Sequence, residues 1–226
     1  MSLLSFFKGY KKFGIFFSIL SIVIMVIIYN ILNQRTKLPV FKPAMVNAEM
    51  VDESIQHVEK YHTISDFSLT NQNGKTITQD DYKNKIYVAD FFFTTCKTIC
   101  PKMTSHMYEI QSATFKDDEV MLLSHSVTPL KDSVPVLKAY AKEKGVVDRK
   151  WNLVTGDKKQ IYKLARKSYL AVKEDGNGDI YDMIHTENFL LIDKKRQIRG
   201  MYDGTNPEEI KRLLADIETL KYFGGS

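Results

Sequence analysis

Cysteine is scarce in this sequence, with two in 226 residues, which excludes a disulfide-stapled scaffold. Proline is scarce as well, six in all, and no segment repeats, so neither a Pro-rich disordered chain nor a solenoid fits. Acidic residues are missing from the first 34 positions, which carry Lys8, Lys11 and Lys12. Of the 32 Lys and Arg, 29 therefore face 27 acids in the remainder, and the formal charge of +5 shrinks there to +2. Nothing in that balance requires nucleic acid as a partner. What remains is 44% hydrophobic, 12% aromatic and 26% charged, the composition of a packed globular chain.

Charge is also absent from residues 13–34, FGIFFSILSIVIMVIIYNILNQ. As a helix this run rises roughly 33 Å, about the thickness of a hydrocarbon core, and it lacks the polar stripe of a buried soluble helix. A cleaved signal peptide would end in small residues, whereas this run ends in Tyr29, Asn30, Ile31 and Leu32, and no cysteine follows to accept a lipid. The run reads as an uncleaved anchor. Lys8, Lys11 and Lys12 precede it, and Arg35, Lys37 and Lys42 follow, diluted by Glu49, Asp52 and Glu53. A short basic tail held in the cytoplasm places the larger domain outside. The expected location is the bacterial inner membrane, single-pass, with the domain in the periplasm. The expected divisions are a basic tail (1–12), the anchor (13–34), a tether with Pro39 and Pro43 (35–60) and one compact domain (61–222).

Within that domain, extended runs are expected at 64–69, 86–93, 119–127, 188–193 and 197–202, with a hairpin turn at Asn73-Gly74. Helices are expected at 101–115, 132–144, 157–169 and 207–220. The last opens on Asn206, Pro207, Glu208 and Glu209, a cap, a first-turn proline and two acids suited to the helix dipole. Strands alternating with helices imply an α/β domain, a central sheet with helices on both faces.

Both cysteines fall in DFFFTTCKTICPKMT, residues 90–104, between the most hydrophobic strand and a helix. In helical geometry Cys96 and Cys100 share a face about 6 Å apart, close enough for a Cys96–Cys100 disulfide or for two sulfurs to meet one metal ion. Pro101 suits a first helical position. The free amides of the helix start, with Lys97, favour thiolate over thiol. Two buried cysteines used as small apolar residues would be the plain alternative. Five histidines are available as partners. His57 and His62 fall in the tether or first strand and are expected in solvent. His106 lies about 120° around the helix from Cys100. His125 reads as a satisfied core histidine. His185, in MIHTENFLLID, precedes an apolar strand, where loops at sheet ends gather ligands.

Taken together, FFFTTCKTICPKMT and MIHTENFLLID some 85 residues later resemble the SCO/SenC family of membrane-anchored, thioredoxin-like, copper-binding proteins. The resemblance covers roughly 61–222 and implies a thioredoxin-like fold behind one N-terminal transmembrane helix. It implies Cys96, Cys100 and His185 as ligands of Cu(I) or Cu(II). The role it implies is a metallochaperone for cytochrome c oxidase assembly, its partner a copper-accepting oxidase subunit or another copper chaperone. Two thiolates and an imidazole suit copper, whereas a structural zinc site would want a fourth protein ligand. Thr128 departs from the family, standing at the first aspartate of an Asp-Pro-x-x-Asp stretch that here reads Thr128-Pro129-Leu130-Lys131-Asp132.

The rival is an extracytoplasmic thiol–disulfide oxidoreductase using the Cys96/Cys100 pair. Asp90, six residues before Cys96, stands where thioredoxins carry a buried aspartate. Three residues between the cysteines and no proline between Pro135 and Pro207 count against it. A peroxiredoxin pattern fails, because Phe93 and Ala89 (or Lys97 and Phe93) stand where Thr and Pro are required. Asp175 to Asp179 resembles the start of a calcium loop but has Ile180 in place of the glycine and Thr186 in place of the glutamate, so a polar hairpin tip is expected. Met103, Met107 and Ile110 form a core stripe, Lys194-Lys195-Arg196 a solvated turn, and 157–169 an exposed amphipathic helix.

Overall fold

The computed structural model describes residues 11–32, 36–45, 62–171, 184 and 186–225. It divides into two units, Met1–Thr36 and Lys37–Ser226. In the first, helix α1 (Lys11–Leu32) has 22 residues, and the side chains described on it, residues 13–29, are all exposed. Among the described residues no helix is long and apolar enough to cross a membrane.

The second unit is built on a seven-stranded mixed sheet. Its strands are β1 (Ser68–Asn71), β2 (Thr76–Thr78), β3 (Ile86–Phe92), β4 (Val120–Ser126), β5 (Trp151–Thr155), β6 (Asn188–Ile192) and β7 (Ile198–Asp203), in the order β2-β1-β5-β4-β3-β6-β7. The central β3, β4 and β5 run parallel, and the other neighbours are antiparallel. All seven residues of β3 are buried, as an interior strand covered on both faces must be. Its side chains alternate between two cores. Tyr87, Ala89 and Phe91 join Leu123, Val154, Leu164 and Tyr169 on one face. Ile86, Val88 and Phe92 join Met103, Met107 and Leu137 on the other. Helices α2 (Cys100–Ala113), α3 (Val134–Glu143), α4 (Lys158–Lys163) and α5 (Pro207–Tyr222) connect and flank the strands.

Three features differ from the sequence expectation. Strand β5 was not anticipated, yet it attaches the N-terminal hairpin to the rest of the sheet. Its polar Asn152 donates to the Tyr82 hydroxyl (2.9 Å) and accepts from Asn71 Nδ2 (2.9 Å), so a polar residue is buried at no net loss of hydrogen bonds. The expected 157–169 helix is α4 followed by a π-turn over residues 164–168 in which Leu164, Ala165, Arg166 and Ser168 are buried; it is not an exposed face. Residues 37–41 are docked against the domain: the Phe41 amide donates to the Ile198 carbonyl (2.8 Å), and Arg199 donates to the Pro39 and Leu38 carbonyls (3.0 and 2.6 Å).

The turn and cap signals hold, while the first extended run, expected at 64–69, is strand only over Ser68–Asn71. Gly74 takes φ +77° in the turn between β1 and β2, where a left-handed conformation favours glycine. Asn206 caps α5, accepting from the Glu208 amide (3.0 Å), with Pro207 in the first turn.

Candidate metal centre

The cysteine loop leaves the sheet where β3 ends at Phe92, and α2 opens on Cys100 itself. Cys96 is therefore in the loop, not one helical turn before its partner. Ile99, at the cap of α2, offers no side-chain acceptor. In the first turn Pro101 has no N–H, and the Lys102 and Met103 amides donate to the Ile99 carbonyl (both 3.0 Å), so the Cys100 amide is the one left to a neighbouring anion, and Cys96 is that neighbour. Desolvation opposes its ionisation, but hydrogen bonds from the side chain and amide of Cys100, and from the side chain and amide of Thr98, bring its pKa down to about 7; the Thr98 hydroxyl lies 3.6 Å from the sulfur.

Cys100 behaves otherwise. It is 3% exposed, and burial, together with the Cys96 sulfur and the Asp90 charge, pushes it up to about 12 despite a hydrogen bond with the Phe93 backbone. Both sulfurs are free thiols in the structure. The expectation that the helix start ionises both cysteines thus holds for Cys96 and is corrected for Cys100, where desolvation outweighs the helix amides.

Asp90 is buried on β3, on the sheet face that carries Val88 and Phe92. Desolvation raises its pKa to about 7, moderated by a hydrogen bond to Ser124, whose hydroxyl oxygen in turn accepts from the Trp151 indole (2.8 Å). The loop after β4 adds a residue that the sequence marked only as the end of an Asp-Pro-x-x-Asp stretch. Asp132 is fully buried and accepts from Thr94, two residues before Cys96.

Of the histidines, His62 is half-buried rather than free in solvent, and its Nε2 donates to the Ser168 carbonyl (2.6 Å). His106 is directed at the Gly204 carbonyl, 2.7 Å from Nδ1. His125 is buried among aromatic rings, stacked on Phe91 with centroids 4.9 Å apart and edge-on to Tyr169 at 5.2 Å. Its Nδ1 lies 3.3 Å from the Asp90 carbonyl and its Nε2 has no partner among the described residues, so it is a core histidine only half satisfied. His57 and His185 lie outside the described residues, as does the 175–179 loop. The positions flanking residue 185, Ile184 and Thr186, are both buried. Among the described residues, no group of three His, Cys, Asp or Glu is placed to hold a metal. Met103 and Met107 are core, as is Ile110. The 194–196 turn is solvated as expected, with Lys195 exposed and with surface pairs from Lys194 to Glu119 (3.2 Å) and from Arg196 to Asp66.

The SCO1/SenC family model matches residues 55–221. A SCO1/SenC family lipoprotein from Bacillus anthracis is 31% identical, the alignment covering 71% of this chain and 95% of that one, with a TM-score of 0.63. BsSco, a member of the Sco family of cytochrome c oxidase assembly proteins with a disulfide switch, is 28% identical over 70% of this chain and 92% of its own, with a TM-score of 0.59. ScoI of Bradyrhizobium japonicum, solved with copper bound, is 29% identical over 69% and 98%, with a TM-score of 0.55. The shared architecture is the thioredoxin-like α/β sheet flanked by helices. With a family match over most of its length and a cysteine pair at the strand-to-helix junction, this chain belongs to the SCO1/SenC family.

Proposed function

We propose that this protein is a membrane-anchored copper metallochaperone for cytochrome c oxidase assembly, with Cys96, Cys100 and His185 as the ligands of its cargo. The observation that carries the reading is the cysteine pair itself. One sulfur is ready as a thiolate near neutral pH, its partner is buried in contact with it, and the pair lies where β3 passes into α2. Thiolates are soft donors suited to Cu(I), and an imidazole extends the set to Cu(II). Sheet register supports the third ligand. Ala89 pairs with Leu190 and Tyr87 with Ile192, so antiparallel continuation carries the chain before Asn188 toward the end of β3 and the cysteine loop. Copper in the Bradyrhizobium relative supports the same cargo. The charge-free run 13–34, and the lipoprotein nature of the Bacillus anthracis relative, support a membrane anchor. The basic tail supports a periplasmic domain.

The test is a copper titration of the reduced full-length chain in detergent, following stoichiometry against a competing chelator and the thiolate-to-Cu(II) charge-transfer absorption. One tightly held ion per chain is expected, lost in Cys96→Ser and Cys100→Ser and weakened tenfold or more in His185→Ala. Undiminished affinity in His185→Ala would remove that residue from the ligand set.

Asp90 supports a second reading, thiol–disulfide exchange. Its buried carboxylate, with a pKa of about 7 and its field felt at Cys100, can take the Cys100 proton. In that reaction the Cys96 thiolate attacks a substrate disulfide and expels one thiolate. Cys100, deprotonated, then attacks the Cys96 sulfur and expels the second, leaving a Cys96–Cys100 disulfide and a reduced substrate. Rapid turnover of a disulfide substrate in metal-free buffer would put this reading first.

A further inference from the structure

At the foot of the cysteine loop lies a carboxylate whose surroundings are too elaborate for a surface acid. Asp132 is 0% exposed. Its Oδ1 accepts from the Thr94 hydroxyl (2.5 Å), and its Oδ2 accepts from the Ser126 hydroxyl (2.5 Å), the Thr128 hydroxyl (2.9 Å) and the Thr94 amide (3.3 Å). The Ser126 hydroxyl oxygen also accepts from the Thr128 amide (3.2 Å), and the amides of Lys131 and Asp132 donate to the Thr128 carbonyl (2.8 and 2.9 Å). A buried carboxylate is tolerated only when it is hydrogen-bonded, and short hydroxyl-to-carboxylate bonds are the strong, directional kind. Thr128 matters for the same reason. An aspartate there would set a second carboxylate within about 3 Å of the first and could not donate unless protonated; the threonine donates.

Three separate pieces of chain meet on this group: the end of β4 through Ser126, the following loop through Thr128, and the cysteine loop through Thr94. Cys100 is already fixed in the first turn of α2 and packed in the core. Cys96 is the free variable, and only Thr95 separates it from the doubly bonded Thr94. We infer that Asp132 is a positioning residue: through Thr94 it holds the cysteine loop so that the Cys96 sulfur stays beside Cys100. It contributes no ligand and acts on the pair from behind. The inference rests on the reading of the pair as a copper and dithiol site, and it adds a determinant of that site outside the cysteine and histidine motifs.

The decisive variant is Thr94→Val, which keeps shape and removes only the hydroxyl; Thr94→Ser restores it, and Asp132→Asn tests the acceptor. Two measurements on the full-length chain in detergent read the outcome. In the first, the Cys96–Cys100 couple is equilibrated with reduced and oxidised glutathione, where each disulfide reduced consumes two glutathiones and forms one oxidised dimer. A loosened Cys96 lowers the effective concentration of one sulfur near the other. Thr94→Val should therefore form its disulfide about tenfold less favourably, a rise of about 30 mV in potential, with Thr94→Ser close to the parent. In the second, Cu(II) added to reduced protein should give a weakened, shifted charge-transfer band in Thr94→Val and about tenfold lower affinity, the range seen when groups behind metal ligands are removed. Potential and copper band both unchanged in Thr94→Val, with only the melting temperature lowered, would make Asp132 a stabilising group and overturn the inference. A parent protein that neither binds copper nor cycles its disulfide would instead sink the functional reading, so the two failures are distinct. Should Asp132→Asn not fold, the Thr94 pair alone decides.

Discussion

Two buried ionisable groups on adjacent strands, Asp90 and His125, are pushed in opposite directions by one cause. Desolvation raises Asp90 from 3.8 to about 7 and lowers His125 from 6.5 to about 4. Between about pH 4 and 6.5 the folded chain therefore carries a proton on Asp90 that the unfolded chain lacks. It also lacks one on His125 that the unfolded chain carries. The two contributions to the pH dependence of stability nearly cancel in that window. Removing one exposes the other. Asp90→Asn should become more stable as pH rises from about 4 to 6.5, while His125→Phe should become less stable as pH rises from about 4 to 7, each by about 3 kcal/mol. Urea unfolding of both variants and the parent at about pH 5 and pH 7 checks this, and parallel profiles in the two variants would refute it. At this scale, what the sequence made legible was local. The cysteine pair and Asp90 could be read because they lie within eleven positions of one another. His62 bonding to Ser168, 106 positions away, could not, nor could the burial that keeps Cys100 protonated against its helix amides.

Helices with caps and strands with unbroken apolar runs were recoverable because their signals lie within the element. Strand β5 was missed because WNLVT has five residues and two polar ones; Asn152 is made compatible with burial by Tyr82 and Asn71, partners far away in sequence, and the buried Thr155 hydroxyl has no partner among the described residues. The docking of residues 37–41 had no local signal at all. It depends on Arg199, which sits on β7 with its side chain 4% exposed and bonds Asp193 (2.8 Å) as well as the Leu38 and Pro39 carbonyls. Arg199→Met should strip the counter-charge from a fully buried Asp193 and cost about 3–5 kcal/mol, the range for breaking one side of a buried pair. It should also free residues 37–45, so that limited proteolysis cuts there in the variant well before the core is digested. An Arg199→Met, Asp193→Asn double variant should recover part of the stability but not the protection, because the two carbonyls stay without their donor. Equal digestion of parent and single variant would show that the docked segment is held by other contacts.

The two units expose very different surfaces. On α1 the described side chains include Phe13, Ile15, Phe16, Phe17, Ile19 and Ile22, each more than half exposed, and most of its other described side chains are equally apolar. It is on this continuous apolar surface that the proposed membrane anchor rests. The domain instead exposes only scattered large hydrophobics such as Met45, Tyr108, Leu130 and Tyr222, which is normal for a soluble protein. The run could be read from sequence because twenty-two uncharged positions in a row need no tertiary context. The direction it faces is harder to read, because three basic residues stand on each side of it. Fractionation separates these points. The full chain should stay in the membrane pellet through an alkaline carbonate wash and leave it only with detergent, while a chain of residues 37–226 should be recovered in the soluble fraction with the copper stoichiometry of the parent. Protease added to spheroplasts should then digest the domain of the full chain without lysis, as a periplasmic placement requires. Release of the full chain by carbonate would remove the anchor from the reading. Digestion only after lysis would reverse its orientation and put the cysteine pair in a compartment that keeps thiols reduced, where disulfide closure could no longer be part of how copper is handed on.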